Sequence, residues 1–414
     1  MSEIINGSGY VYPNELHHYW SILIVVYPYI TGLIAGAFII SSFYHVFGMK
    51  ELKPIARFSL ISALGFTFCV SLPLLFHLGH PERALNMLFT PHLTSAMSGF
   101  GIIYACYTVL LTLEVWLIYR PEIIRYANQT KGLIKLFYTV LALGVTNELS
   151  EKEKAIDKKV ITFFAAIGIP AACLLHGYTG FIFGSVVANP WWSTPLMPFI
   201  FILSAMVSGI AMMILLYYIT MRIIGVPVCL ICFRQLAIIL WAFLIVDATL
   251  ELMEVIHIAY EGGESWAIIS QLLSRDLSFT FYTLQLSICT LIPFLLLGFV
   301  VLFKPKCKTM NSLTLISSLL LIIQVASMRW NVIIGGQLFS KSFRGFTEHL
   351  HICMKEVLLE YYSPLGKLIN YLHLDLFGIE RIMVAASILT LCFVFIIVFC
   401  KLLPPFEKAE DAID

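Results

Sequence analysis

The chain has 414 residues, of which 59% are hydrophobic and 12% charged, with a formal net charge of +1. Soluble domains carry about twice that share of charge, so a soluble globular fold is excluded, and the near-zero balance argues against a nucleic-acid partner. The mean hydropathy of +0.89 and recurring apolar runs of about 20 residues predict an all-α, polytopic transmembrane protein.

In chain order the runs fall at 18–47, 54–79, 94–119, 159–184, 195–222, 233–258, 277–303, 310–335 and 380–403. That is about nine spans, with limits of eight to ten. Two stretches set the upper limit. Gly132–Val145 is short and broken by Lys135, which suits the membrane interface. Phe343–Leu376 mixes charged and aromatic residues and reads as a surface segment. Met1–Tyr10 has neither a basic start nor a small-residue cleavage site, so no removable signal peptide is expected. Pro28, Pro73, Pro170 and Pro293 fall inside spans, where each frees a backbone carbonyl and permits a bend.

Most of the 26 Lys and Arg residues lie in alternate connections, including Lys50, Lys53, Arg57 and the basic run from Arg120 to Lys159. Positive charge stays on the cytoplasmic side, so the N-terminus is expected outside and the C-terminus inside. No soluble linker divides the chain. The expected organisation is a single membrane domain, 1–414. Within it, 18–158 and 159–337 form two parts, 338–379 an outer-surface segment, and 380–414 the last helix and an inner tail.

Ionisable residues inside a bilayer cost free energy, so those present need a partner or a task. The sixth run, WAFLIVDATLELMEVIHIAY, carries Asp247, Glu251 and Glu254 at spacings of four and three. At about 100° per residue these share one helix face, with His257 next to them. Such a stripe could pass protons between mid-membrane and the outer surface, or could lock the bundle by pairing. Arg329, in SMRWNVIIGGQ, is deep enough to need a partner, and those carboxylates are the expected one. Glu114 in the third run is a further candidate for proton transfer. In the fourth run, LLHGYTGFIFG places His176 and Tyr178 where either could hydrogen-bond a quinone oxygen.

The outer connection HLGHPERALNMLFTPHLTSAMSGF contains His77, His80, Glu82, Arg83 and His92. His77 reads as a quinone ligand, Glu82 and Arg83 as partner contacts, and His92 as an interface residue. The ten cysteines show neither ferredoxin spacing nor a CxxCH haem motif. No iron–sulfur cluster, haem or metal centre is therefore expected in this chain.

Three stretches carry a resemblance: HLGHPER with TPHLTSAMSGFG, HGYTGFIFGSVVANPWWSTPLMPFIFILSAMVSGIA, and RWNVIIGGQ. They are similar to the NrfD/polysulfide reductase (PsrC-like) membrane-subunit family. The likeness extends over about residues 18–337 and is strongest to the branch holding the DsrP subunit and the Hme menaquinol-oxidising complex. The resemblance implies a repeated four-helix bundle with extra helices, a quinone site near the outer face, and a docked iron–sulfur, ferredoxin-like subunit outside the membrane. Gly32, Ala35 and Gly36 match the family's small-residue pattern. Asn14 and His17 repeat an Asn-x-x-His pattern but lie too far upstream of those glycines to serve as ligands.

The expected function is that of a quinone-reactive membrane subunit of a multisubunit respiratory oxidoreductase in a prokaryotic cytoplasmic membrane. Menaquinol would be held by His77, His176 and Tyr178, with protons moving through Asp247, Glu251, Glu254, His257 and Glu114. Two other classes compete. A catalytically inert anchor would leave the carboxylate stripe without a task. An ion-coupled secondary transporter would need broken helices in two related halves.

Overall fold

The computed structural model describes residues 20–78, 80–92, 94–145, 147–187, 189–340, 345–346 and 376–406. Asn14, His17, most of the 338–379 segment and the end of the inner tail lie outside the described residues. Nine helices among the described residues are long and apolar enough to cross a membrane: Ile22–His45, Lys50–His77, Ala96–Gln129, Glu151–Gly184, Met197–Ile223, Leu230–Glu261, Ser278–Phe303, Cys307–Gln337 and Glu380–Leu402. They are called spans one to nine below. A two-residue ladder, Phe339–Ser340 against Gly345–Phe346, follows span eight.

The helices run past the apolar windows wherever charge finds a local partner. Span three continues to Gln129 and span four starts at Glu151. Their polar ends are tied by Arg120–Asp157 at 2.9 Å and, to span two, by Arg57–Glu122 at 2.6 Å. Hydropathy stops at the first charges, but the backbone hydrogen bonding does not. Span four opens with a capping box in which Ser150 and Glu153 satisfy each other's backbone N–H groups. The short helix Gly132–Leu141 leaves Leu133, Ile134, Leu136 and Phe137 exposed, as expected of an interfacial segment.

Packing sorts the spans into two groups of four. Span one lies against spans two and four, and span three against spans two and four; span five lies against spans six and eight, and span seven against spans six and eight. Span nine lies on span two. This is the pair of four-helix bundles with an extra helix. Span one is apolar on all sides and is the most enclosed of the nine, which is where such a helix belongs.

The two bundles meet where span one crosses span five. A Cβ added to Gly36 would stand 2.6 Å from both the Ala205 carbonyl oxygen and the Gly209 Cα. The two backbones therefore touch, and only glycine fits.

Candidate functional site

Span seven is the irregular element. Residues Ser278–Leu291 are π-helical, and an ordinary α-helix follows from Ile292. Ser287 and Thr290 each donate their hydroxyl to the carbonyl five residues back, on Tyr282 and Gln285. The widened turns bring Phe281 and Gln285 to face spans six and eight. π-helical turns are rare and collect at functional sites.

Beside them lies a cavity of about 490 Å³, counted with its open mouth, between spans five to eight. Trp191, Met197, Ile200, Phe281, Met328 and Val332 give it apolar and aromatic walls, and Glu251, Glu254, Gln285 and Asn331 supply the polar groups. A mostly apolar cleft with a few polar groups is the usual form of a small-molecule site.

Two sequence motifs build its outer wall. Asn189 Nδ2 donates to the Gly336 carbonyl at 2.8 Å, and Asn189 Oδ1 accepts from Trp191 N at 3.1 Å. Trp192 Nε1 donates to the Val332 carbonyl at 2.6 Å. The Asn-Pro-Trp-Trp turn is thus clamped onto the end of span eight. That clamp sets the Trp191 ring edge-on to Phe281, with centroids 6.3 Å apart.

Glu251 is the best-held carboxylate of the site. Gln285 Nε2 donates to its Oε2 at 3.0 Å, and Gln324 Nε2 approaches both oxygens at 3.4 and 3.5 Å. Asn331 Nδ2 in turn donates to Gln285 Oε1 at 2.7 Å. Asp247, one turn earlier on span six, is fully buried, and neither of its oxygens has a hydrogen-bond partner.

Arg329 is also fully buried. Its Nη2 reaches His176 Nε2 at 2.9 Å, Ser204 Oγ at 2.7 Å and the Phe201 carbonyl at 3.2 Å. Its guanidinium lies 3.6 Å over the Phe201 ring, a cation–π contact in a dry interior. A guanidinium only donates, so His176 Nε2 accepts and its proton sits on Nδ1; Nδ1 has no partner. The direct ion pair expected between Arg329 and the span-six carboxylates is not formed. Asp247 and Glu251 act on Arg329 only as charges at longer range.

The sequence candidates therefore divide. Glu251 and Glu254 meet at the cavity, with Asp247 behind them. His257, three residues beyond Glu254, does not line the cavity; it is exposed and lies 3.5 Å from Glu261 on its own helix. His176 and Tyr178 do not converge. Two residues rotate a helix by about 200°, so His176 faces Arg329 while the Tyr178 hydroxyl lies against Gly99 of span three.

His77 ends span two, close to Arg381. Neither His77, His176 nor Tyr178 lines the cavity. Glu82 is exposed and 2.9 Å from His80, and Arg83 is exposed beside it. Glu114 is fully buried in span three with both oxygens unpartnered. Among the described residues, no three His, Cys, Asp or Glu side chains gather as a metal site.

Gln285, Gln324, Asn331, Trp191 and Ser204 were not singled out from the sequence. Gln285 and Gln324 are amides inside apolar runs, which is the signal that could have found them. Asn331 and Trp191 lay inside the quoted motifs without an assigned part.

Known proteins resemble the chain over much of its length. The family described as "Polysulphide reductase, NrfD" matches residues 13–341. A selenate reductase subunit from Mesobacillus selenatarsenatis is 37% identical over 202 residues, 48% of this chain and 47% of that protein. The Hdr-like menaquinol oxidoreductase integral membrane subunit of Archaeoglobus fulgidus is 25% identical over 203 residues, 49% of this chain and 42% of that protein. A protein NrfD homolog of Haemophilus influenzae is 23% identical over 334 residues, 77% of this chain and 94% of that protein. The chain thus spans about half the length of the first two relatives.

Proposed function

The chain belongs to the NrfD polysulphide reductase family, and from that premise we propose that it is the quinone-reactive membrane subunit of a multisubunit respiratory oxidoreductase. The observation that carries the proposal is the Glu251 carboxylate, fixed by two amides at the wall of an aromatic-lined cavity. The name of the Archaeoglobus relative includes menaquinol, and a fused two-ring headgroup suits walls made of Trp191 and Phe281.

Oxidation of menaquinol yields menaquinone, two protons and two electrons. Glu251 takes one hydroxyl proton from the bound quinol and, once that proton has passed on, takes the second. Its oxygens already accept from Gln285 and Gln324, so it is oriented as a base before the quinol arrives. Glu254, one turn towards the mouth, passes the proton outward, and the exposed His257 delivers it to water. Asp247 and Arg329 lie behind Glu251. Arg329 supports the negative charge of the cluster, and its partner His176 holds the guanidinium in place instead of touching the quinol.

The two electrons leave to an iron–sulfur, ferredoxin-like subunit docked on the outer connection that carries His77, Glu82 and Arg83. The host membrane is the cytoplasmic membrane of a prokaryote.

The test is quinol-dependent electron transfer by the assembled complex with Glu251→Gln. Glutamine keeps the size of the side chain but cannot take the proton. Turnover is expected to fall about 100-fold or more while the complex still assembles. Unchanged turnover in an assembled complex would sink the assignment.

A further inference from the structure

The cavity's hydrogen-bonding groups carry a consequence for which form of a quinone it accepts. A carboxylate accepts hydrogen bonds and an amide NH₂ donates them. The orientation of each amide in contact with Glu251 therefore follows from the chemistry. Gln285 turns its Nε2 to Glu251 at 3.0 Å. Its Oε1 is then the end left to face span eight, and it accepts from Asn331 Nδ2 at 2.7 Å. That contact uses the donor end of Asn331. Its Oδ1 is left with no partner, on a side chain that is 1% exposed and lines the cavity.

The polarity set at Glu251 thus runs through two amides and ends as an unpaired, buried acceptor on a side chain that lines the cavity. Glu254 adds a second one, since its Oε2 also has no partner. Among the lining side chains Trp191 Nε1 is the donor atom with no partner at all, while Gln285 and Asn331 each use one N–H of their NH₂ groups within the chain of amides.

We propose that the Glu251–Gln285–Asn331 chain is a polarity relay that makes the cavity selective for a hydroquinone over the corresponding quinone, with Gln285 as its positioning residue. The inference rests on reading the cavity as the quinol site. A hydroquinone brings two O–H donors, which can pair with Asn331 Oδ1 and with a carboxylate oxygen of Glu251 or Glu254. Its oxygen lone pairs remain available to the Trp191 N–H. A quinone brings only acceptors. It can pair with Trp191 and leaves the asparagine oxygen unpaired, which is costly away from water. The relay therefore favours loading of the reduced form and release of the oxidised one, the order needed for quinol oxidation.

The test uses the full chain in lipid nanodiscs under anaerobic conditions, with menadiol and menadione as probes. Intrinsic tryptophan fluorescence reads the binding, and a melting curve controls for folding. In the wild type, menadiol is expected to bind about tenfold more tightly than menadione, the effect of one net hydrogen bond. Gln285→Leu frees Asn331 to turn its NH₂ inward, and the preference is expected to shrink to about twofold or less with menadione affinity retained. Asn331→Leu removes this acceptor while leaving Gln285 on Glu251, and is expected to shrink the preference to the part that the Glu251 and Glu254 carboxylates supply. A merely structural role for Gln285 would weaken both probes together. Equal wild-type affinities, or a preference that survives undiminished in both variants, would overturn the relay while leaving the cavity as a quinone site. Failure of both probes to bind the folded wild type would overturn the relay and the cavity reading alike.

Discussion

Each four-helix bundle buries carboxylates, and the two treat them differently. In the first bundle Glu114 is fully enclosed, and neither oxygen has a partner. Tyr107, seven residues earlier on the same helix, has an unpartnered hydroxyl as well. In the second bundle Glu251 receives two amides, Arg329 lies within range of both Glu251 and Asp247, and a cavity opens beside Glu251 and Glu254. Burial alone does not make a site. What marks the second is the convergence of partners from spans six, seven and eight on one carboxylate beside a cavity.

Three substitutions would break or sharpen that contrast. Arg329→Met has the largest expected effect. It removes the buried cation, strands His176 and Ser204, and leaves the carboxylates without a compensating charge. A loss of about 3–5 kcal/mol is expected, seen as a lower midpoint in thermal unfolding in detergent. A variant as stable as wild type would mean that the second bundle does not depend on its charge cluster.

Gly36→Ala comes next and bears on the joint between the bundles. Its methyl would meet the Ala205 carbonyl and the Gly209 Cα, each 2.6 Å from the new atom. Both are backbone atoms and cannot swing aside. A cost of about 1–3 kcal/mol is expected, measured in the same way. No change would show that the two bundles can slide apart without loss.

Glu114→Gln has the smallest expected effect, a change in quinol-dependent turnover of about twofold or less, because Glu114 does not line the cavity between spans five to eight. A loss on the scale of Glu251→Gln, about 100-fold, would place a working group in the first bundle and erase the contrast.

The nine spans were readable because a bilayer imposes length and apolarity directly on sequence. The Asp247–Glu251–Glu254 stripe was readable for a similar reason, since helical rotation fixes which residues share a face. The same arithmetic places His257 at the edge of the stripe, about 60° beyond Glu254, and it separates His176 from Tyr178. The pairing of Arg329 was not readable. Opposite charge suggested Asp247 or Glu251, whereas the register between spans four, five and eight delivers His176, Ser204 and Phe201. Gln285 was hidden for a different reason. Its place opposite Glu251 depends on the π-helical winding of Ser278–Leu291, and nothing in the apolar run SFTFYTLQLSICTL distinguishes that winding from an α-helix.

That winding also bears on how such a site can arise. A π-helical turn closes its hydrogen bonds five residues apart instead of four, so it accommodates one more residue than an α-helical turn in nearly the same space. One residue inserted into a transmembrane helix creates one widened turn and one residue lost removes one, and the 14 residues of Ser278–Leu291 hold about three such turns. Either event rotates Phe281 and Gln285 relative to Glu251 without altering a single side chain. In this scaffold the cavity can be gained or lost by a change of length in one helix, while the spans and the crossing at Gly36 and Gly209 stay as they are.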